Sequence, residues 1–264
     1  MQKDKKFILW FKEVGIKDIL RVGGKNASLG EMYRKLAPKG INIPNGFCVT
    51  AEAYRYFLKK AGILPELKKI MAGLATSKMK NLLEVGARAR QTVLKAKLPK
   101  ELEEAILKAY QKLCQEYKMD NADVAVRSSG TAEDLPKASF AGQFESYLNI
   151  RGEKALLDAC KKCFVSFFTN RAISYRVDKG FRHFNIYLCL GVQKMVRSDK
   201  ASAGIAFTLD TETGFPDIVL INAIYGLGEN VVKGRVNPDQ YCVFKPTLKK
   251  DFSSVISKTL GTKK

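Results

Sequence analysis

The chain has 264 residues, 46% of them hydrophobic, which suits one large core or two smaller ones and excludes a wholly disordered protein. Its 46 Lys and Arg against 26 Asp and Glu give a formal charge of +20, which favours polyanions: nucleic acid, anionic membrane or phosphorylated metabolites. The basic residues are spread along the chain, so solvated lysine-rich faces are the simpler explanation of the charge.

The sequence carries neither a membrane-span pattern nor an export pattern. No apolar run approaches the roughly 20 residues of a membrane span, and the apolar stretch 7–11 is too short for a signal peptide. We therefore expect a cytoplasmic protein with no membrane partner and with free thiols. Cys160 and Cys163 form a single CxxC without a second pair, and their helical spacing with Leu156 and Phe167 places them on a buried stripe, so no zinc site is expected.

The first half of the chain is predicted to be mainly helical. A glycine turn opens the first helix, because Leu29, Met32 and Leu36 recur at helical spacing after it. In chain order, the predicted elements are a helix over 26–36, a short strand within 41–49 interrupted by Pro44, a helix over 51–60 with Thr50 as its N-cap, and a helical region over 65–119 broken near Gly73 and at Pro99.

The second half changes to strands and turns. The predicted elements are a strand over 124–126, a polar loop over 127–143, a strand over 147–150, a long amphipathic helix containing 156–167, strands within 185–196, 203–209, 217–223 and 241–244, and a glycine-rich turn with a helix start in 225–234. This alternation predicts a mixed α/β architecture without internal repeats.

Two segments have the composition of a phosphate site. The loop 127–143 joins Arg127 to small and hydroxyl residues whose backbone N–H groups can approach a ligand, although the same residues dominate ordinary surface turns. The turn 23–25 places Lys25 at a helix N-terminus, where anions are attracted, although a glycine turn with an exposed lysine is an equal alternative. It lacks the spacing of a Walker A loop.

Six ordered blocks covering most of residues 20–264 resemble the phosphoenolpyruvate synthase family and, more distantly, pyruvate phosphate dikinase. The blocks are VGGKNASLGEM, GINIPNGFCVTAEAYRYFL, AVRSSGTAEDLPKASFAGQFESYLNI, FTNRAISYR, GVQKMVRSDKASAGIAFTLDTETGF and YGLGENVVKGRVNPDQYCVFKPTL. The resemblance implies an ATP-grasp-like nucleotide-binding fold with a helical insertion over about 51–119. It divides the chain into 1–123 and 124–264, the second part being incomplete at its C-terminal end.

The resemblance also implies roles for individual residues. Lys25 matches a lysine that neutralises ATP phosphates, and Arg127 matches an arginine that holds them during transfer. Both roles are electrostatic. The segment 128–143 matches a mobile loop over the phosphates. Its best phosphate donors are Ser129, Gly130 and Thr131, and Gln143 is a further nucleotide contact.

Four further residues match positions around the base and ribose. Gln193, Met195 and Val196 lie where a family strand meets adenine, although the last two also suit plain strand core. Glu229 matches an acidic position near the nucleotide, toward the ribose, although it also suits a cap for a helix that begins at Asn230.

The resemblance predicts an incomplete enzyme. In the family, ATP and pyruvate give phosphoenolpyruvate through a phosphohistidine and a barrel domain that this sequence lacks, and the acidic magnesium ligands are also missing. His183, the sole histidine, matches no such motif and suits a structural role. The sequence therefore predicts ATP as ligand and impaired magnesium binding, in a fragment, a split-gene product completed by another chain, or a remnant. The alternative is a non-catalytic polyanion or nucleic-acid binding protein.

Overall fold

The computed structural model describes residues 6–76, 78–132 and 144–262. The chain forms two compact units, Met1–Met195 and Val196–Lys264, which are taken separately below. The resemblance predicts a boundary between residues 123 and 124. In the structure, strands that precede this position and strands that follow it belong to the same sheet of the first unit. No helix of the described residues is long and apolar enough to cross a membrane.

Within the described residues of the first unit, five strands form an antiparallel sheet in the order β1-β2-β5-β3-β4. The strands are β1 Ile8–Trp10, β2 Gly46–Val49, β3 Val124–Gly130, β4 Ser146–Ile150 and β5 Leu188–Lys194. The central strand β5 pairs with β2 on one side and with β3 on the other, so it is covered by backbone hydrogen bonds along both edges.

The α-helices of the first unit are α1 Ile19–Val22, α2 Gly24–Leu36, α3 Ala51–Lys60, α4 Leu64–Ala72, α5 Met79–Lys95, α6 Lys100–Glu116, α7 Glu153–Ser166 and α8 Asn170–Asp178. The predicted helices correspond to α2 to α7, whereas α1 and α8 are absent from the prediction. The start of α3 follows the prediction, because the Thr50 side chain accepts a hydrogen bond of 3.2 Å from the Ala53 N–H and so caps the helix. The breaks at Gly73 and Pro99 also separate helices as predicted.

The two faces of this sheet are packed differently. One face carries a large core of aromatic and aliphatic side chains from the sheet and from α3 to α8, which includes Phe57, Leu113, Phe164 and Val192, all fully buried. The other face carries a small core, which comprises Leu9, Phe11, Val14, Val22, Ala27 and Cys48 and lies under α1 and α2. Most of the apolar burial that stabilises the first unit therefore lies on a single face.

The strand β3 corrects the predicted loop. We expected the strand to end at Val126 and the loop to begin at Arg127, but β3 continues to Gly130. Its polar residues pair through their backbones with β5 in unbroken register as far as Gly130↔Leu188, and strand pairing is indifferent to side-chain polarity. The predicted strand within 41–49 is also shorter, because pairing begins only at Gly46, beyond Pro44.

In the second unit, strands pair antiparallel in the order β6-β7-β8-β9. They are β6 Ser202–Phe207, β7 Ile218–Tyr225, β8 Asp239–Phe244 and β9 Val255–Thr259, with the short helix α9 Glu229–Val232. The last strand β9, like β1 in the first unit, is absent from the prediction. Both units combine helices with antiparallel sheet, which confirms the mixed α/β class.

Candidate functional site

The sequence-predicted residues Arg127, Ser129 and Gln193 lie on one face of the five-stranded sheet. Side chains alternate along a strand, and Val126 of β3 and Val192 of β5 belong to the large core. Arg127, Ser129 and Gln193 therefore point to the opposite side. We call this side the polar face and define it by Ala125, Arg127, Ser129, Cys189, Gly191 and Gln193.

The N-terminus of α2 is fixed directly on this polar face. The Asn26 N–H donates a hydrogen bond of 3.2 Å to Ser129 Oγ, so a strand residue caps a helix more than 100 positions away. Gly23 has φ 82°, and a Cβ there would lie 2.3 Å from Ser129 Oγ and 2.4 Å from the Ser129 carbonyl oxygen. Only glycine permits this approach. It holds Lys25, in the first turn of α2, beside β3.

Asn26 is a second anchor of the same helix, and sequence reasoning missed it. Its side chain is buried and donates a hydrogen bond of 2.8 Å to the Val22 carbonyl oxygen. A Cβ on Gly191 would lie 2.3 Å from Asn26 Oδ1, so glycine in β5 makes room for the asparagine. The signal in sequence is a polar residue that directly follows the Gly-Gly-Lys turn.

Arg127 supplies charge to the polar face. It lies opposite Gly191 of β5 and Ser146 of β4, and its side chain reaches solvent. Desolvation by the surrounding protein lowers the pKa of Arg127 below its ordinary value, and the guanidinium remains charged at neutral pH. With Lys25 and the α2 N-terminus, it gives this face a positive field suited to phosphate.

The predicted phosphate donors of the loop are engaged within the sheet. Ser129 is fully buried beneath α2, and Gly130 pairs with Leu188. The Thr131 N–H donates to the Tyr187 carbonyl oxygen at 3.0 Å, and Thr131 Oγ1 accepts from the Tyr187 N–H at 3.0 Å. Gln143 and the rest of the predicted loop from residue 133 lie outside the described residues. The structure thus gives Ser129 a positioning contact.

The residues matched to adenine lie at the end of β5. Gln193 is buried and donates a hydrogen bond of 3.1 Å from Nε2 to the Pro44 carbonyl oxygen. Met195 follows the strand, half-buried, and its N–H donates to the Asp123 carbonyl oxygen. Val196 belongs to the second unit and is 62% exposed, so the alternative that it is strand core is wrong.

Glu229 is in the second unit, as the first residue of α9. Its carboxylate forms an ion pair with Lys233, and the hydrogen bond from Lys233 lowers the pKa of Glu229. The alternative that Glu229 caps a helix beginning at Asn230 is wrong, because the helix begins at Glu229 itself and Gly228 occupies the N-cap position.

Comparison with known proteins identifies the family. The family model described as pyruvate phosphate dikinase, AMP/ATP-binding domain, matches residues 19–264. The chain belongs to this family. It is 55% identical over 99% of its length to a phosphoenolpyruvate synthase of Synechocystis and 54% identical over its whole length to that of Aquifex aeolicus. It is 46% identical over 97% of its length to that of Escherichia coli, and it spans about a third (31–32%) of these three relatives.

The polar face therefore belongs to an AMP/ATP-binding domain. Among the residues that the structure describes, no group of three or more His, Cys, Asp or Glu is arranged to hold a metal ion. The thiols of the CxxC are buried in the large core, and burial raises the pKa of Cys160 to about 12 and that of Cys163 well above its ordinary value. This agrees with the predicted core role of both cysteines.

Sequence reasoning also missed a buried ion pair at the end of β5. Lys194 Nζ lies 2.8 Å from Asp123 Oδ1, with side-chain exposures of 9% and 5%. Burial alone would raise the pKa of Asp123, but the hydrogen bond from Lys194 and a backbone hydrogen bond outweigh it and lower that pKa. In sequence, the signal is a lysine that closes an otherwise buried strand.

Proposed function

We propose that this chain is the ATP-binding module of a phosphoenolpyruvate synthase and that the polar face is its nucleotide site. The whole enzyme would convert ATP, pyruvate and water to phosphoenolpyruvate, AMP and phosphate, through a phosphohistidine on a domain outside this chain. The observation that carries the proposal is the convergence of Lys25, Arg127 and the α2 N-terminus on one face of the sheet, held by the Asn26–Ser129 hydrogen bond.

The proposed roles follow from the chemistry of each group. Lys25 binds the phosphates as a point charge, and the backbone N–H groups of the first α2 turn bind them with the help of the helix dipole. Arg127 adds a planar guanidinium group whose N–H donors bind phosphoryl oxygens in pairs. All three act on charge that shifts during phosphoryl transfer, so they lower its barrier electrostatically. The fold would then be of the ATP-grasp type, as the resemblance implies.

The base and ribose contacts are the second part of the proposal. Gln193 lies near the end of the central strand and Met195 directly follows that strand, and we assign both, with Val196, to the adenine edge. The ribose role of Glu229, in the second unit, stays a prediction of the resemblance. Ser129 is proposed to act indirectly, by holding the α2 N-terminus that carries Lys25.

Magnesium stays an expectation of the resemblance. The described residues do not supply a carboxylate cluster of the kind that divalent cations prefer, so they do not fit the ion by themselves. When bound with ATP, magnesium would neutralise phosphate charge. We assign no residue of this chain to it.

The polyanion-binding alternative is not favoured. A match to the AMP/ATP-binding domain over residues 19–264 favours a specific nucleotide site, which a general basic surface does not predict. The two proposals also differ in salt dependence, because binding of a nucleic acid through many lysines weakens steeply as salt is raised.

The proposal is tested by ligand stabilisation against heat. ATP that binds only the native state raises the melting temperature, and the increase should fall sharply in Lys25→Met and in Arg127→Met. The matched controls are Lys80→Met and Arg88→Met, which alter exposed cations on α5, on the other side of the sheet. Absence of a shift with millimolar ATP, or equal shifts in all four variants, contradicts the proposal. Heparin binding that survives Arg127→Met would support the alternative.

A further inference from the structure

A cleft of about 410 Å³ opens in the first unit on the side of the large core, away from the polar face. Residues of α3, of α4 and of the segment that precedes β5 line it. Its apolar walls are aromatic: they include Tyr54, Tyr56, Phe167, Phe184 and Tyr187. A volume of this size is typical of small-molecule sites, and aromatic walls favour a planar ligand.

The rim of this cleft is cationic. Arg55, Lys59 and Lys68 line it against a single carboxylate, Glu52, which gives three positive charges against one negative charge. The Glu52 carboxylate is already engaged by Arg55, which donates to it at 2.9 and 3.2 Å. The Arg55 guanidinium also lies 4.8 Å from the centre of the Tyr187 ring. The two lysines therefore give the rim the rest of its positive charge.

A fully buried cation lies behind the aromatic wall. Arg176 donates from Nε to His183 Nδ1 at 3.0 Å and from Nη1 to the Phe167 carbonyl oxygen at 2.7 Å, and both partners line the cleft. No carboxylate among the described residues forms an ion pair with it. Its Nη2 and the hydroxyl of Tyr54, another wall residue, are buried and have no hydrogen-bond partner within the part of the chain that the structure describes.

A buried cation behind this wall lowers the stability of the folded protein unless an anion compensates its charge. A buried guanidinium without a counter-ion loses hydration, and each unpaired buried polar atom adds to that cost. Desolvation lowers the pKa of Arg176 to about 10 and, together with Arg176, lowers that of His183 to about 4. His183 therefore stays neutral and adds no charge. An anion in the cleft would offset the field of Arg176 and of the two lysines.

We propose that this cleft is a second ligand site, which takes a small organic phosphate carrying a planar ring. The phosphate is held at the rim by Lys59 and Lys68, and the ring packs against the half-buried rings of Tyr56 and Tyr187. The site is separate from the polar face, because its walls belong to the large core on the other side of the sheet. It is independent of the proposed ATP site.

Phenyl phosphate titrated into the chain and followed by calorimetry tests this site. In Arg127→Met, which weakens the polar face, we expect saturable binding of one equivalent. Adding Lys59→Gln with Lys68→Gln should weaken it about tenfold, because both rim charges are removed. The matched control is Lys60→Gln with Lys69→Gln, which changes the neighbouring exposed lysines that do not line the cleft.

The controls separate the cleft from general charge attraction. Inorganic phosphate and phenol, each lacking one half of the probe, should bind at least tenfold more weakly than phenyl phosphate. The proposal is overturned by any of three results: no saturable binding of phenyl phosphate at millimolar concentration, loss of binding in Arg127→Met, or equal weakening in the two lysine pairs.

Discussion

The two faces of the five-stranded sheet differ in what they bury. The core face packs fully buried side chains such as Phe164 and Leu190 under a helical layer, whereas the polar face carries Arg127, Gln193 and a helix end capped by Ser129. The same strands build both, because alternate side chains point to opposite sides. Stability is therefore concentrated on one face, and the proposed phosphate-binding chemistry lies on the other.

This difference teaches that a substitution should affect either folding or nucleotide binding according to its face. Residues of the core face should change the free energy of unfolding and leave ATP affinity per folded molecule intact. Residues of the polar face should change ATP affinity more than they change the free energy of unfolding. The four predictions below test the separation in order of decreasing effect.

Phe164→Ala should have the largest effect on stability. Phe164 is fully buried, and its ring lies 5.1 Å from that of Tyr54 and 5.6 Å from that of Phe57. We expect a loss of about 3–5 kcal/mol in urea unfolding, from lost transfer energy and the remaining cavity. The control Phe252→Ala, at a side chain 72% exposed, should change stability by less than about 0.5 kcal/mol. Similar losses in both would contradict this assignment.

Asp123→Ala should cost roughly 3 kcal/mol, because it leaves Lys194 buried without its partner. Lys194→Met added to it should recover much of the loss, which a double-mutant cycle measures. The lowered pKa of Asp123 also fixes a pH dependence: the stabilisation is present above the ordinary pKa of 3.8 and is lost as pH falls through the lower folded value. Additive losses in the cycle would show that the pair is not coupled.

Gly23→Ala tests the polar face. A Cβ there would collide with the backbone of Ser129 at a positive φ, so α2 must move at a cost of about 1–3 kcal/mol. We expect a loss of ATP affinity greater than the loss of stability, measured by calorimetry and urea unfolding. Gly40→Ala is the control, because its φ of 84° is similar but nothing lies within 4 Å of its Cβ position. Unchanged ATP affinity in Gly23→Ala would contradict the proposed contact between α2 and the nucleotide.

At neutral pH, His183→Asn should have the smallest effect of the four, because the titration of His183 changes stability only in acid. Burial and the nearby Arg176 lower the pKa of His183 to about 4 from an ordinary 6.5, so the unfolded chain takes up a proton between these values and the folded chain does not. Stability therefore falls as pH drops from about 6.5 to 4, by at most about 1.4 kcal/mol per pH unit. The asparagine variant should have a shallower slope over this window; an identical slope would contradict the lowered pKa.

Much of the first unit could be predicted from the sequence. Helical spacing and local caps are encoded within a few residues, as Thr50 and Pro99 illustrate, so helix limits were found closely. The extension of β3 through Arg127 and Ser129 was not predicted, because its polar residues also suit a loop. These residues form a strand only through their pairing with β5. Strand β9 was missed for the same reason, since its stability comes from pairing with β8.

The candidate site was predictable only in part. Glycine turns and the family resemblance pointed to Lys25 and Arg127, but their shared face follows from contacts between distant residues, such as the Asn26–Ser129 hydrogen bond. The same holds for the Lys194–Asp123 pair, which joins residues 71 positions apart. Neither contact has a local pattern, so the roles of Asn26 and Lys194 required the structure.

The most direct test of the central claim is the response of the Arg127 side chain to ATP. In a nitrogen-15 labelled chain, the Arg127 Nε–H resonance, assigned by its loss in Arg127→Lys, should shift progressively and saturate as ATP is added. The Nε–H resonance of Arg88, on the other side of the sheet, should stay constant. A saturating shift at Arg127 alone is the result we predict. Saturable ATP binding that leaves the Arg127 resonance unmoved would contradict the assignment of the polar face as the nucleotide site.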